Sequence, residues 1–315
     1  MRRLIFISFI ILGCSAKKTP SETPITYDDI MNEAWKNYSI FEFSKARNLF
    51  SQALSINSKD REAYYGNSLS SASLSLYQEA FSLSSSGIFA QGEPPLKKVV
   101  NKIILNSMPD TILISAKKEG NDSVYSGYYY IQISDTPILE VSSIFLNNSL
   151  KSIYAFNRNK IIVPFTHVLD QNSNVKQSDL PKANDTIIYS VSIPTLKDID
   201  SLLWNIIVLS SGLGYLSDNL SQAMIYGYLA YFTNPINSLN PRIVKRFKNS
   251  DNVFNLARIL YKLELYYNLT NLLHDVDANW PYNNWGNNIK IDIKWVYNNQ
   301  NAIKSKFYEF LSTQP

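Results

Sequence analysis

Four pairs of residues near the start of this 315-residue chain stand 34 positions apart, and that interval leaves few architectures open: Phe43 with Tyr77, Ala46 with Ala80, Ile30 with Tyr64, and Leu54 with Ile88. Within the interval the apolar period is helical. Ile30, Ala34, Asn37 and Tyr38 share one helix face, and Asp28 and Asp29 fall in a first turn, where carboxylates favour the helix dipole. Phe43, Ala46, Phe50, Ala53 and Leu54 mark the face of a second helix. Alternating large and small residues let two helices approach closely and interdigitate. A unit recurring at a fixed interval exposes an apolar face that the next unit must cover, so the pattern predicts stacked helical hairpins.

The run Phe43-x-x-Ala46-x-x-x-Phe50-x-x-Ala53-Leu54 resembles the second helix of the tetratricopeptide repeat, whose period is 34 residues. The second unit, Tyr77-x-x-Ala80, is similar but departs from the family: Ser84 replaces a large aromatic and Gly87 a small helix former. Ser58 stands where the family usually has proline. The resemblance covers Tyr27 to Glu93. It implies packing through Ile30, Ala34, Phe43, Ala46, Phe50, Ala53, Tyr64, Tyr77 and Ala80, and a concave face that binds extended segments or helices. After Pro94-Pro95, the residues Leu96, Val99, Val100, Ile103 and Ile104 alternate with Lys97, Lys98, Asn101 and Lys102 as an amphipathic helix would. We expect this helix to cap the array and end a first region at residues 27–106.

The character changes after Met108-Pro109. Thr111–Ser115, Val124–Ile133, Lys160–Val168 and Thr186–Ile193 are rich in Ile, Val, Tyr and Thr, with turn formers between them. They predict a β-rich, sandwich-like domain over residues 107–194, within which Leu139 to Ile153 is ambiguous between strand and helix. A mainly helical region follows over 195–315. Leu202 to Leu216 is apolar nearly all round but too short for a membrane span, and so reads as a buried core helix. Asn234-Pro235 and Asn240-Pro241 interrupt the helices that follow, and Lys245-Arg246-x-Lys248 reads as a solvated basic cluster. The expected fold class is therefore α+β.

The first residues carry a separate signal. Arg2 and Arg3 precede an apolar run, Leu4 to Leu12, broken only by Ser8 and ending at Gly13. Ile11-Leu12-Gly13-Cys14 resembles the bacterial lipobox, with Ile11 in the place of the usual leucine. The resemblance implies a signal peptide over residues 1–13 and a membrane anchor at Cys14, lipidated through diacylglyceride and palmitate chains. Cys14 is the only cysteine in the chain, so no internal disulfide can form. The Ser, Thr, Lys and Pro that follow read as a flexible tether over residues 14–26. Ser15 is not the aspartate that commonly signals retention at the inner membrane, which implies the outer membrane, facing the periplasm.

Chemistry-bearing signals are few. The formal net charge of +4, which falls to +2 without Arg2 and Arg3, gives no electrostatic footprint for nucleic acid. There is no G-x-S-x-G, P-loop or H-E-x-x-H, and the only histidines are His167 and His274. His274-Asp275-x-Asp277 offers fewer ligands than a metal site needs and reads as solvated, so no cofactor or metal is expected. Trp280, Trp285 and Trp295 cluster with Tyr282, Tyr297 and asparagines 283, 284, 287 and 288. Flat rings beside amides suit a sugar ring, and ordinary core packing suits them equally. The reading favoured by the sequence is a lipid-anchored adaptor that engages an envelope protein partner. The alternative is a glycan-binding surface lipoprotein.

Overall fold

A computed structural model describes residues 25–133, 136–277, 280, 282, 285 and 288–313. The signal peptide, Cys14, the tether up to residue 24 and asparagines 283, 284 and 287 lie outside the described residues. The fold is α+β, with helices at both ends and a β-rich middle.

The first helices are α1 (Tyr27–Ser39), α2 (Phe43–Ile56), α3 (Arg61–Ser73) and α4 (Tyr77–Ile88). Thr26 starts α1 with a capping box: its hydroxyl accepts from the Asp29 N–H while the Asp29 carboxylate accepts from the Thr26 N–H. Asp60 caps α3 by accepting from the N–H groups of Glu62 and Ala63. Successive helices pack as antiparallel hairpins.

The strands follow as β1 (Leu96–Ile104), β2 (Thr111–Glu119), β3 (Asp122–Gln132), β4 (Glu140–Leu146), β5 (Ser149–Leu150), β6 (Ala155–Asn157), β7 (Lys160–Leu169), β8 (Val175–Ser178) and β9 (Thr186–Pro194). They form two antiparallel sheets, one ordered β1-β9-β4-β5 and the other β2-β3-β7-β6 with β8 also on β7. The segment Leu139 to Ile153 resolves into the hairpin β4–β5. Asn147 and Asn148 turn it, both at positive φ (48° and 66°), as a two-residue hairpin loop requires.

The expected capping helix at residues 94–106 is a strand, and the β-rich unit begins at Leu96, ahead of the expected residue 107. β1 pairs with β9 in continuous register from Leu96↔Pro194 to Ile104↔Thr186. The spacing of Leu96, Val99 and Ile103 imitates a helix face, but Val99, Val100, Ile103 and Ile104 are β-branched and pack better on a pleated surface. The chain also enters and leaves the β unit side by side: the Thr195 N–H donates to the Pro95 carbonyl at 2.9 Å.

After the short β10 (Asp198–Asp200) come α5 (Ser201–Leu216), α6 (Leu220–Phe232), the three-residue β11 (Asn234–Ile236), α7 (Asn249–Lys262), α8 (Tyr266–Val276), α9 (Ile289–Asn298) and α10 (Gln300–Ser312). The helix that covers the early hairpins is α5, which packs directly on α4. A Cβ on Gly214 of α5 would stand 2.9 Å from the ring of Phe81 on α4. The β unit is thus an insertion between α4 and α5, and the helices run past it as one array.

Four turns repeat one geometry along that array. Phe41, Ser75, Asp218 and Glu264 have φ of 65°, 61°, 59° and 57° and sit between α1 and α2, α3 and α4, α5 and α6, and α7 and α8. In each turn the next residue donates its N–H back across the turn: Glu42 to Asn37, Leu76 to Ser71, Asn219 to Gly214 and Leu265 to Leu260, at 2.8–3.0 Å. This is the Schellman closure of a helix C-terminus.

The β unit is joined to the array through α8. Buried Asn268 donates to the Phe156 carbonyl of β6 at 2.9 Å and to the Tyr228 hydroxyl at 2.8 Å, and accepts from the Phe156 N–H at 3.5 Å. One side-chain amide thereby completes the edge of a sheet, as a neighbouring strand would.

Candidate functional site

The residues expected to pack the first hairpins divide by depth. Ala34, Ala46, Phe50, Ala53 and Ala80 are fully buried, whereas Ile30, Phe43, Tyr64 and Tyr77 are half-buried around them. Trp35 stands edge-on to Phe50 at 5.0 Å.

The first helices of the hairpins, α1, α3, α5 and α7, share a face, and an irregular segment, residues 240–248, lies across it. Asn240 starts the segment by accepting from the Arg242 N–H. Ile243 is buried. The Tyr65 hydroxyl of α3 donates to the Lys245 carbonyl at 2.8 Å, and the Phe247 N–H donates to the Asn205 side chain of α5 at 2.7 Å. Val244, Lys245, Arg246 and Lys248 stay exposed, so the basic cluster is solvated as its composition predicts.

Arg242 is the anchor of this segment. Its guanidinium donates to both carboxylate oxygens of Glu62, which is only 8% exposed, and reaches Asp28 and Asn32 of α1 at 3.4 Å. Glu62 also accepts from the Trp35 indole N–H at 2.8 Å. A buried carboxylate needs such partners because desolvation otherwise disfavours its charge. Hydrogen bonding to Glu62 raises the Arg242 pKa further, and burial pushes the Tyr65 phenol above its ordinary value. Residues this far apart in the chain leave no local motif, so sequence reading missed this set.

Beyond Phe247 the same face stays open as a cavity of about 370 Å³. Leu69 of α3 and Val208 and Leu213 of α5 form apolar walls, and Asn255 and Arg258 of α7 supply polar ones. The Arg258 guanidinium lies over the Tyr215 ring at 4.2 Å, and no carboxylate comes within 4.0 Å of it among the described residues. A volume of this size holds a small ligand or a few apolar side chains of a polypeptide.

The C-terminal aromatics form no platform, which removes the ground for the glycan alternative. Trp280 and Trp285 are buried, 4% and 7% exposed, and the Trp285 indole donates to Asn271 at 3.1 Å. Trp295 is half-buried and stacks on Tyr282 at 4.8 Å. These rings seal α8 and α9 together. Among the described residues no cluster of three or more His, Cys, Asp or Glu could hold a metal. His167 bonds to Ser178 at 2.9 Å, and the Asp275 carboxylate accepts from Tyr231 at 2.8 Å. No described helix is long and apolar enough to cross a membrane.

Comparison with protein-family models, with curated proteins and with solved structures gave no match, so the function is argued from the geometry of this chain.

Proposed function

We propose that this protein is a lipid-anchored envelope adaptor that engages a partner polypeptide along the face of a tetratricopeptide-like array. The observation that carries the reading is the segment 240–248: the face formed by α1, α3 and α5 already holds irregular backbone, gripping Arg242 and Phe247. A face that binds its own chain this way offers the hydrogen bonds and pockets that a partner's segment needs.

The array supports the tetratricopeptide-like assignment beyond the first two units. Counted from the four turn residues, the position seven earlier holds Ala34, Ser68, Ser211 and Ala257. The position five later holds Ala46, Ala80, Ala223 and Leu269. Small residues at seven of these eight places keep paired helices close. Anchoring rests on the lipobox resemblance at Cys14, and the outer-membrane, periplasm-facing location on Ser15.

The test is purification of tagged protein after crosslinking in intact cells, beside a Cys14→Ala variant. The reading expects palmitate incorporation and membrane fractionation for the unaltered chain, release of the variant into the soluble fraction, and one stoichiometric envelope protein co-purifying with the former. Recovery of the protein alone would reject the adaptor role. Unchanged fractionation of the variant would reject the anchor.

A further inference from the structure

A second interaction surface lies on the β unit, remote from the array face and independent of its reading. β1 is nine residues long and pairs with β9 along its whole length, and no other described strand pairs with it. Its free edge therefore presents unpaired backbone donors and acceptors, the template for strand addition.

The side chains of β1 say what would add there. Val99, Asn101 and Ile103 stand opposite Val191, Tyr189 and Ile187 of β9, which are buried, so these residues face the core. Lys98, Val100, Lys102 and Ile104 alternate on the outer face, and Val100 and Ile104 are 65% and 58% exposed. Lys97, Lys98 and Lys102 have no carboxylate within 4.0 Å among the described residues. A second copy of the chain is a poor occupant: antiparallel self-pairing centred on Val100 would set Lys98 opposite Lys102 twice, and like charges directly opposite destabilise a sheet. An acidic strand avoids this and neutralises all three lysines.

We propose that β1 is a strand-addition site for an extended segment of a partner polypeptide in which acidic and β-branched apolar residues occupy alternate outer-face positions. The acidic residues stand opposite Lys98 and Lys102, and the apolar ones cover Val100 and Ile104. Backbone hydrogen bonds to the free edge hold the strand, and the charges select it.

The test uses the full chain and a synthetic peptide, N-acetylated and C-amidated, with Glu and Val alternating at every second position between threonines. Titration followed by amide hydrogen exchange is expected to protect β1 amides, with affinity falling about tenfold or more in Lys98→Glu/Lys102→Glu. A peptide N-methylated at alternate amides is expected not to bind. Both lysines are exposed, so the variant should keep the melting temperature of the parent. Equal binding to the charge-reversed variant, binding of the N-methylated peptide, failure of the acidic peptide to bind, or self-association through β1 would each overturn the proposal. None of these outcomes bears on the array face, which the peptide does not touch.

Discussion

The guanidinium of Arg242 grips the carboxylate of Glu62 through two nitrogens, across 180 positions of sequence. This pair ties residues 240–248 to the first hairpins and closes one end of the shared face of α1, α3, α5 and α7. It also fixes where the open cavity begins.

Removing one partner of a buried pair leaves an uncompensated charge. Arg242→Ala should therefore cost about 3–5 kcal/mol, whereas Arg242→Met combined with Glu62→Leu should recover most of that loss, because two apolar side chains leave no charge behind. Urea denaturation of the variants checks this. Additive losses in the double variant would show that the two side chains act separately.

Gly66 in α3 lies under the ring of Phe50. A Cβ there would stand 2.2–2.6 Å from three ring carbons. Phe50 is fully buried and has no empty space to enter. Gly66→Ala should thus lower stability by about 1–3 kcal/mol through overpacking, despite alanine's better helix propensity. A melting temperature at or above that of the parent would contradict this packing.

Asn268 satisfies Phe156 and Tyr228 in a dry contact between array and β unit. Asn268→Ala leaves those groups unpaired at about 1–3 kcal/mol each. The loss should be local as well as global. Amide exchange at Phe156 is expected to accelerate more than exchange within β3, and uniform acceleration would argue that the contact does not join the two parts.

Burial raises the pKa of Tyr65, Tyr228 and Tyr267 above the ordinary phenol value near 10. Tyr130, which donates to Asp110, is pushed up to about 12. Because the folded values lie above the unfolded one, the neutral phenols' contribution is complete below the unfolded pKa and is lost as pH rises through it toward the folded values. Melting temperature should hold up to about pH 10 and then fall. Tyrosinate absorbance should rise in two stages, exposed rings first and buried rings with unfolding. A single stage near the ordinary value would contradict the burial.

The first hairpins were legible in the sequence because they repeat without interruption: Phe43, Ala46, Tyr77 and Ala80 display the interval directly. The later hairpins were visible as helices but not as repeats. The β unit from Leu96 to Pro194 breaks the interval once, and the segment before α7 breaks it again. What survives is the turn geometry at Asp218 and Glu264, which neither residue type announces, since both are non-glycine residues at positive φ. β1 was misread because an edge strand with one half-buried face places Leu96, Val99 and Ile103 at helix-like spacing. The tryptophans were readable only as a pair of alternatives, since the same rings serve a sugar or a core until their burial is known. The Arg242–Glu62 anchor was not legible at all, because tertiary contact alone brings the two together.

The adaptor role stands or falls on one experiment: a photocrosslinking amino acid placed in living cells at Ala72 and Leu216 on the cavity wall and, separately, at Ser44 and Asn48 on the exposed side of α2. The account predicts that one envelope polypeptide is captured from both cavity positions and from neither α2 position. Capture from α2 alone, or equal capture from all four positions, would contradict it.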